Sequence, residues 1–179
     1  MHTRIQKLCV TALGVALFAV LSLCLQVPVF ENYYLCLGYT VVAVYCFSFG
    51  AVSGTAVAVL GVIAYCLVIH GLRGMPGWAA GNVVIGMTLG LVFPRTRRMK
   101  SAKVRPVVEI AAVIMSVTAG ILGVKSLTES LLYIQPIWAR IGKNVYAWAA
   151  DLFVLIVSLP LCRLLDPAAK KLLYEPDQG

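Results

Sequence analysis

Apolar residues fall along this chain in long blocks separated by short polar or glycine-rich breaks. The blocks approach the ~20 residues that a helix needs to cross a bilayer. Six are read this way: Leu8–Val27, Tyr34–Phe49, Ala51–Ile69, Gly77–Phe93, Val107–Val124 and Asn144–Leu164. The second is short and meets the third through Phe49-Gly50-Ala51-Val52-Ser53-Gly54, which predicts a tight helical hairpin. The first block follows no cleavage pattern and is long enough to span, so it is expected to stay. The pattern predicts an all-α fold: an integral membrane bundle of six transmembrane helices, forming a single domain over residues 1–179. A basic loop is expected at 95–106 and a long outer loop at 125–143.

Composition agrees with this reading and narrows it. Only 12% of the 179 residues are charged and 61% are hydrophobic, whereas a soluble domain carries about 25% charged residues. Mean hydropathy is +0.92. Six spans use roughly 120 residues, and the remainder is too short for a separate soluble catalytic domain. The net charge of +8 is explained by position. Eleven of the fifteen basic residues (Arg4, Lys7, Arg95, Arg97, Arg98, Lys100, Lys103, Arg105, Arg163, Lys170, Lys171) lie on one face; Arg73, Lys125, Arg140 and Lys143 lie on the other. Lys and Arg accumulate in cytoplasmic loops, so both tails are expected inside. The run Arg95–Arg105, with six basic residues in eleven, serves topology on this reading; the alternative is docking on anionic lipid or a partner.

Few chemistries survive the inventory. Six cysteines are scattered without a CxxC pair, and His2 and His70 are the only histidines. Redox and zinc-site readings are therefore excluded, and neither a metal nor a cofactor is expected. No phosphate-binding loop is present, so any ATP that drives the protein is hydrolysed by another chain. No G-x-S-x-G nucleophile, paired histidines or clustered acids support an intramembrane enzyme.

Small residues four apart let membrane helices approach closely. They recur at Ala12 and Ala16, Gly50 and Gly54, Gly77 and Gly81, Gly86 and Gly90, and Ala119 and Gly123. Most read as packing within the bundle. The Ala12/Ala16/Ala19 stripe lies near the cytoplasmic end of the first span, where a partner subunit can reach it.

Ionisable groups within spans are costly and are functional candidates by default. Glu109 has Arg105 one turn away and reads as an interfacial pair. Asp151 lies seven residues into the sixth span, about 10 Å deep at the rise of a helix. Asn144, Trp148 and Asp151 share one helical face by their i, i+4, i+7 spacing. Trp78 and Asn82 offer a matching face on the fourth span. Arg73, in a glycine-rich loop, and the polar, aromatic loop around Tyr33 and Tyr34 are positioned to cover a pocket opening outward. The plainer alternatives are an interfacial aromatic belt for the Trp and Tyr residues, a helix-to-helix bond for Asn82, and pairing of Asp151 with a buried hydroxyl or Lys143. The convergence of polar groups in the outer half favours a small polar ligand stacked on aromatics.

Four stretches resemble the substrate-binding S components of energy-coupling factor (ECF) transporters. Ala12-Leu13-Gly14-Val15-Ala16 is similar to the AxxxA motif by which these proteins dock on their coupling subunit. Leu37-Gly38-Tyr39, followed by Phe49-Gly50-Ala51-Val52-Ser53-Gly54, is similar to the family's LG…FGPxxG hairpin. Gly77-Trp78-Ala79-Ala80-Gly81-Asn82-Val83-Val84-Ile85-Gly86 resembles its glycine-rich fourth span, and the polar outer half of the last span completes the likeness. Tyr39 departs from the pattern, since relatives often carry an acid after LG.

The resemblance implies a multi-pass protein of a prokaryotic cytoplasmic membrane that captures a vitamin or related micronutrient from outside. It implies a transmembrane coupling subunit and two cytoplasmic ATPases as partners, docking through Ala12, Ala16 and Ala19, and toppling in the membrane to release substrate inward. Trp78, Asn82, Asn144, Trp148 and Asp151 are the expected ligand contacts, with Arg73, Tyr33 and Tyr34 in the lid. One carboxylate, two amides and several aromatics suit a pyridine, a pyrimidine or a larger ring such as a flavin. The competing reading is a non-catalytic structural or assembly subunit, in which the polar layer is a protein contact.

Overall fold

The computed structural model describes residues 2–24, 27–30, 33–69, 75–99, 101 and 103–174. The chain runs α1 (His2–Cys24), β1 (Val27–Phe30), β2 (Tyr33–Leu35), α2 (Gly38–Phe49), α3 (Ala51–Ile69) and α4 (Met75–Thr96). It continues as α5 (Val104–Val117), a π-helical segment (Thr118–Lys125), α6 (Ser126–Tyr133) and α7 (Ile137–Tyr174). Val104–Tyr133 is one unbroken rod, so among the described residues five helices are long and apolar enough to cross a membrane, with α2 as a shorter sixth.

Three differences from the sequence expectation have physical causes. Tyr34 does not begin a helix but lies in a short antiparallel hairpin, with Val27 paired to Leu35 and Pro28 to Tyr34. The β-branched and aromatic residues of Val27–Phe30 and Tyr33–Leu35 favour that geometry. The fifth span does not end at Val124, because the helix carries its charged residues on through Tyr133. The stretch 125–143, expected as a long loop, is therefore helical except for residues 134–136. There Ile134 takes a left-handed conformation (φ 51°) and the Gln135 N–H donates to the Ser130 carbonyl, a turn that reverses the chain before Pro136. The basic loop also shrinks, because α4 runs to Thr96 and α5 starts at Val104.

Apolar side chains face both inward and outward. Phe18, Phe47, Phe93, Ile85 and Leu155 form the interior, while Leu8, Met115 and Leu131 are exposed on the outer surface. In a bilayer that outer surface meets lipid, so hydrophobicity alone does not drive the helices together and close packing must. Glycine supplies it. Gly50 (φ +81°) makes the turn between α2 and α3, a backbone region that L side chains rarely adopt. Gly86 and Gly90 press on Thr55 and Ala51 of α3, and Gly81 meets Gly120 across the α4–π-segment contact. Ala119 and Gly123, by contrast, point away from the bundle.

A Cβ at position 90 sits 2.3 Å from the Ala51 Cα, a backbone atom that cannot swing aside. Gly90→Ala is therefore expected to cost about 1–3 kcal/mol, the usual range for overpacking. Gly142→Ala, with nothing within 4 Å of its added carbon, serves as the control. Denaturation by a graded ionic detergent should separate the two variants.

Candidate functional site

The bundle has a basic end and a polar, aromatic end. At the basic end, Glu109 is wholly buried and accepts hydrogen bonds from Arg105 Nε (2.9 Å), Thr96 Oγ1 (3.1 Å) and Arg163. The expected pair with Arg105 is present, but the carboxylate also ties α4 and α7 to α5. Beside it, Arg97 donates to Asp166 (2.7 Å) and to the Phe47 carbonyl (2.8 Å). Arg97 and Arg105 both lie over the Phe47 ring. Part of the basic run thus clamps helices together, while Arg95 and Arg98 remain exposed.

The polar end is organised by a residue that sequence reasoning treated only as a departure from a motif. Tyr39 enters α2 just after Gly38, whose missing side chain lets the helix press against Phe18 and Ser22 of α1; a Cβ there falls 2.4 Å from Ser22 Oγ. The Tyr39 ring is fully buried and meets Phe18 edge-on at 6.1 Å. Its hydroxyl accepts from Trp78 Nε1 (2.9 Å) and from Asn82 Nδ2 (3.1 Å). The same hydroxyl hydrogen-bonds with the Asp151 carboxylate, which the Lys125 ammonium also attracts. A phenol has one proton to give and two acceptor positions. With both acceptor positions taken by Trp78 and Asn82, its proton goes to Asp151.

Trp78, Asn82 and Asp151, predicted from two separate helices, therefore meet on a common atom. Trp78 also packs perpendicular to Tyr65, with ring centroids 5.6 Å apart. The carbonyl oxygen of the buried Asn82 side chain has no hydrogen-bond partner among the described residues.

The other predicted contacts are placed differently. Asn144 and Trp148 do share the inward side of α7 with Asp151, but they bond to the fifth span rather than to Trp78 or Asn82. Asn144 Nδ2 donates to Ser126 Oγ (3.0 Å) and Glu129 Oε2 (3.1 Å), and Glu129 pairs with Arg140 at 3.7 Å. Trp148 Nε1 donates to Thr118 Oγ1 at 3.0 Å. Arg73 and the side chains of Tyr33 and Tyr34 lie outside the described residues. Sequence reading missed Tyr39, Lys125, Ser126 and Glu129 as members of the buried polar network at this end. The available signal for Lys125 and Glu129 was their four-residue spacing, which a loop assignment discards.

Ala12 and Ala16 are exposed on α1 and Ala19 is half-buried, while Gly14, Phe18 and Ser22 take the side that faces the bundle. The six cysteines are free thiols, four of them buried packers. Among the described residues, no group of His, Cys, Asp and Glu is arranged to hold a metal ion.

Among the described residues, five apolar helices long enough to span and a shorter sixth, with a buried polar cluster at one end, define a multi-pass membrane protein. Its chain matches the family described as ECF-type riboflavin transporter, S component, over residues 2–166, and it belongs to that family. No curated protein matches it. Family membership makes the chain a vitamin-binding S subunit of an ECF transporter, a substrate-binding component and not an enzyme.

Proposed function

We propose that the protein captures riboflavin at its polar end, from outside the cell, and delivers it inward with a coupling subunit and two ATPases. The observation that carries the site assignment is the meeting of Trp78, Asn82 and Asp151 on the Tyr39 hydroxyl. Buried polar groups that converge among aromatic side chains are the makings of a small-molecule site. Riboflavin presents a flat ring to Trp78 and Trp148. Its ring N–H and ribityl hydroxyls are donors for Asp151 and for the unpartnered Asn82 oxygen. Arg73, Tyr33 and Tyr34 close over it as a lid, and Asn144 holds the neighbouring wall.

Orientation follows from the charges. Arg97 and Arg105 cluster with Arg163 around the helix ends at the basic end, and such an excess marks the cytoplasmic side. The polar end then faces outward from a prokaryotic cytoplasmic membrane. The exposed Ala12/Ala16 surface, with Ala19 at its edge, is where the coupling subunit docks from the lipid.

Titration of the purified protein with riboflavin, read by quenching of flavin fluorescence, tests the substrate. Saturable one-to-one binding is expected; failure to bind riboflavin while another vitamin raises the melting temperature overturns the substrate assignment. Ala16→Trp is expected to leave this binding unchanged and to block uptake by cells that express the full transporter. Normal uptake by that variant overturns the docking assignment.

A further inference from the structure

The buried positions of the fifth span carry an irregularity that bears on the site. From the basic end they run Ala112 and Val113, Ser116 and Val117, Gly120 and Ile121, and then Lys125 and Ser126. The first two steps are four residues long and the last is five. The five-residue step coincides with the π-helical segment Thr118–Lys125, in which each turn takes one more residue than an α-helix. It is pinned on both sides. Gly120 lies against Gly81, with its carbonyl oxygen 2.6 Å from a Cβ built there, and Ser126 Oγ donates back to Ile121 O, five residues earlier.

Without this step, an unbroken α-helix carries the inward face on from Gly120 and Ile121 to Val124, Leu127 and Leu131. Each residue of register is worth about 100° of rotation at 3.6 residues per turn. Lys125 would then swing by about 100° from the centre of the inward face to its flank, and Glu129 would turn toward lipid, where a charged side chain costs several kcal/mol. In the structure Leu127 and Leu131 take the outer surface, 51% and 73% exposed, and Lys125 and Glu129 are buried.

We infer that this one-residue register step builds the substrate site, and that Lys125, which it turns inward, is a specificity-determining residue of that site. Lys125 brings a buried cation within reach of Asp151, with its backbone and Cβ packed against Gly77 and Gly81 of α4. A ligand in the cluster then meets an ammonium donor for its carbonyl or hydroxyl oxygens as well as the Asp151 and Asn82 acceptors. Such a site selects a ring edge on which acceptors and an N–H donor alternate. The inference rests on the reading of the Tyr39 cluster as the substrate site.

Two kinds of variant test it, each measured with the full-length protein, riboflavin as the probe, and the melting temperature of the ligand-free form as the folding control. Lys125→Met keeps the length and removes the charge. It is expected to weaken binding about 30-fold or more, the loss typical of truncating one partner of a buried charge pair; Lys125→Arg should recover part of it. Deleting Gly123, which faces away from the bundle with only the Thr118 oxygen, at 3.9 Å, near an added carbon, removes the extra residue. The rod then returns to α geometry with Lys125 and Ser126 still inward, and binding is expected within about threefold of wild type by this register argument. Inserting one alanine after Gly123 swings Lys125 to the flank and Glu129 outward and is expected to abolish binding.

Wild-type affinity in Lys125→Met overturns the role of Lys125. Loss of binding in a folded Gly123 deletion overturns the register argument. Failure of the wild-type protein itself to bind riboflavin instead sinks the underlying substrate reading, so the two failures are distinguishable.

Discussion

Asp151→Asn is expected to weaken riboflavin binding by about 100-fold or more, the scale seen when a buried charge that bonds a partner is lost at an interface. The substitution keeps the shape of the side chain and leaves an oxygen to accept the Tyr39 proton, so the effect isolates charge. Two things change at once. The ligand loses an anionic acceptor, and the Lys125 ammonium keeps its burial without the carboxylate that attracts it. An amide can also turn its NH2 toward Tyr39, whose acceptor positions are already filled by Trp78 and Asn82. Tyr39→Phe is the companion: it leaves Asp151 charged but removes the atom that gathers the other three. The measurement is the riboflavin titration with each folded variant, and wild-type affinity in Asp151→Asn removes this carboxylate from the site.

The second large effect is on stability and lies at the opposite end. Glu109→Ala is expected to cost about 3 kcal/mol, the low end of what breaking a buried ion pair costs. The low end applies because Arg105 and Arg163 are part-exposed, at 27% and 41%, and can turn to water when the wholly buried carboxylate is gone. Thr96, though fully buried, shares its one hydroxyl proton with the Phe93 carbonyl at 2.9 Å and falls back on that bond. Unfolding in a graded ionic detergent should show the loss, and riboflavin affinity in the protein that remains folded should be unchanged. Unaltered stability would mean that the clamp between α4, α5 and α7 is held by packing alone.

These two carboxylates show how far reading residues in order can go. Both were visible as the acids inside apolar blocks. The one with a basic neighbour four residues away was placed correctly, because an i, i+4 contact is local and follows from helix geometry. Its second arginine, 54 positions distant, was not, since nothing local connects Arg163 to Glu109. Asp151 was singled out for lacking a local partner. Its actual partners, Tyr39 and Lys125, come from α2 and the fifth span, and one of them had been assigned to a loop.

The sequence by itself determined that this is a membrane protein and how many apolar segments it has. Those properties reside in runs of residues and in the desolvation cost of each. Of the glycines that allow close approach it picked out Gly81, Gly86 and Gly90 but not Gly38 or Gly120, and it included Gly123, which faces away. The pairing of helices was decided only by the tertiary structure. Apolar side chains cover both the inward and the lipid-facing sides of every helix, so hydrophobic periodicity cannot tell the two apart. The extra residue in the fifth span is a case of the same limit. A π step shows up only as a shift in which side chains are buried, and that shift exists only once neighbouring helices are in place to bury them.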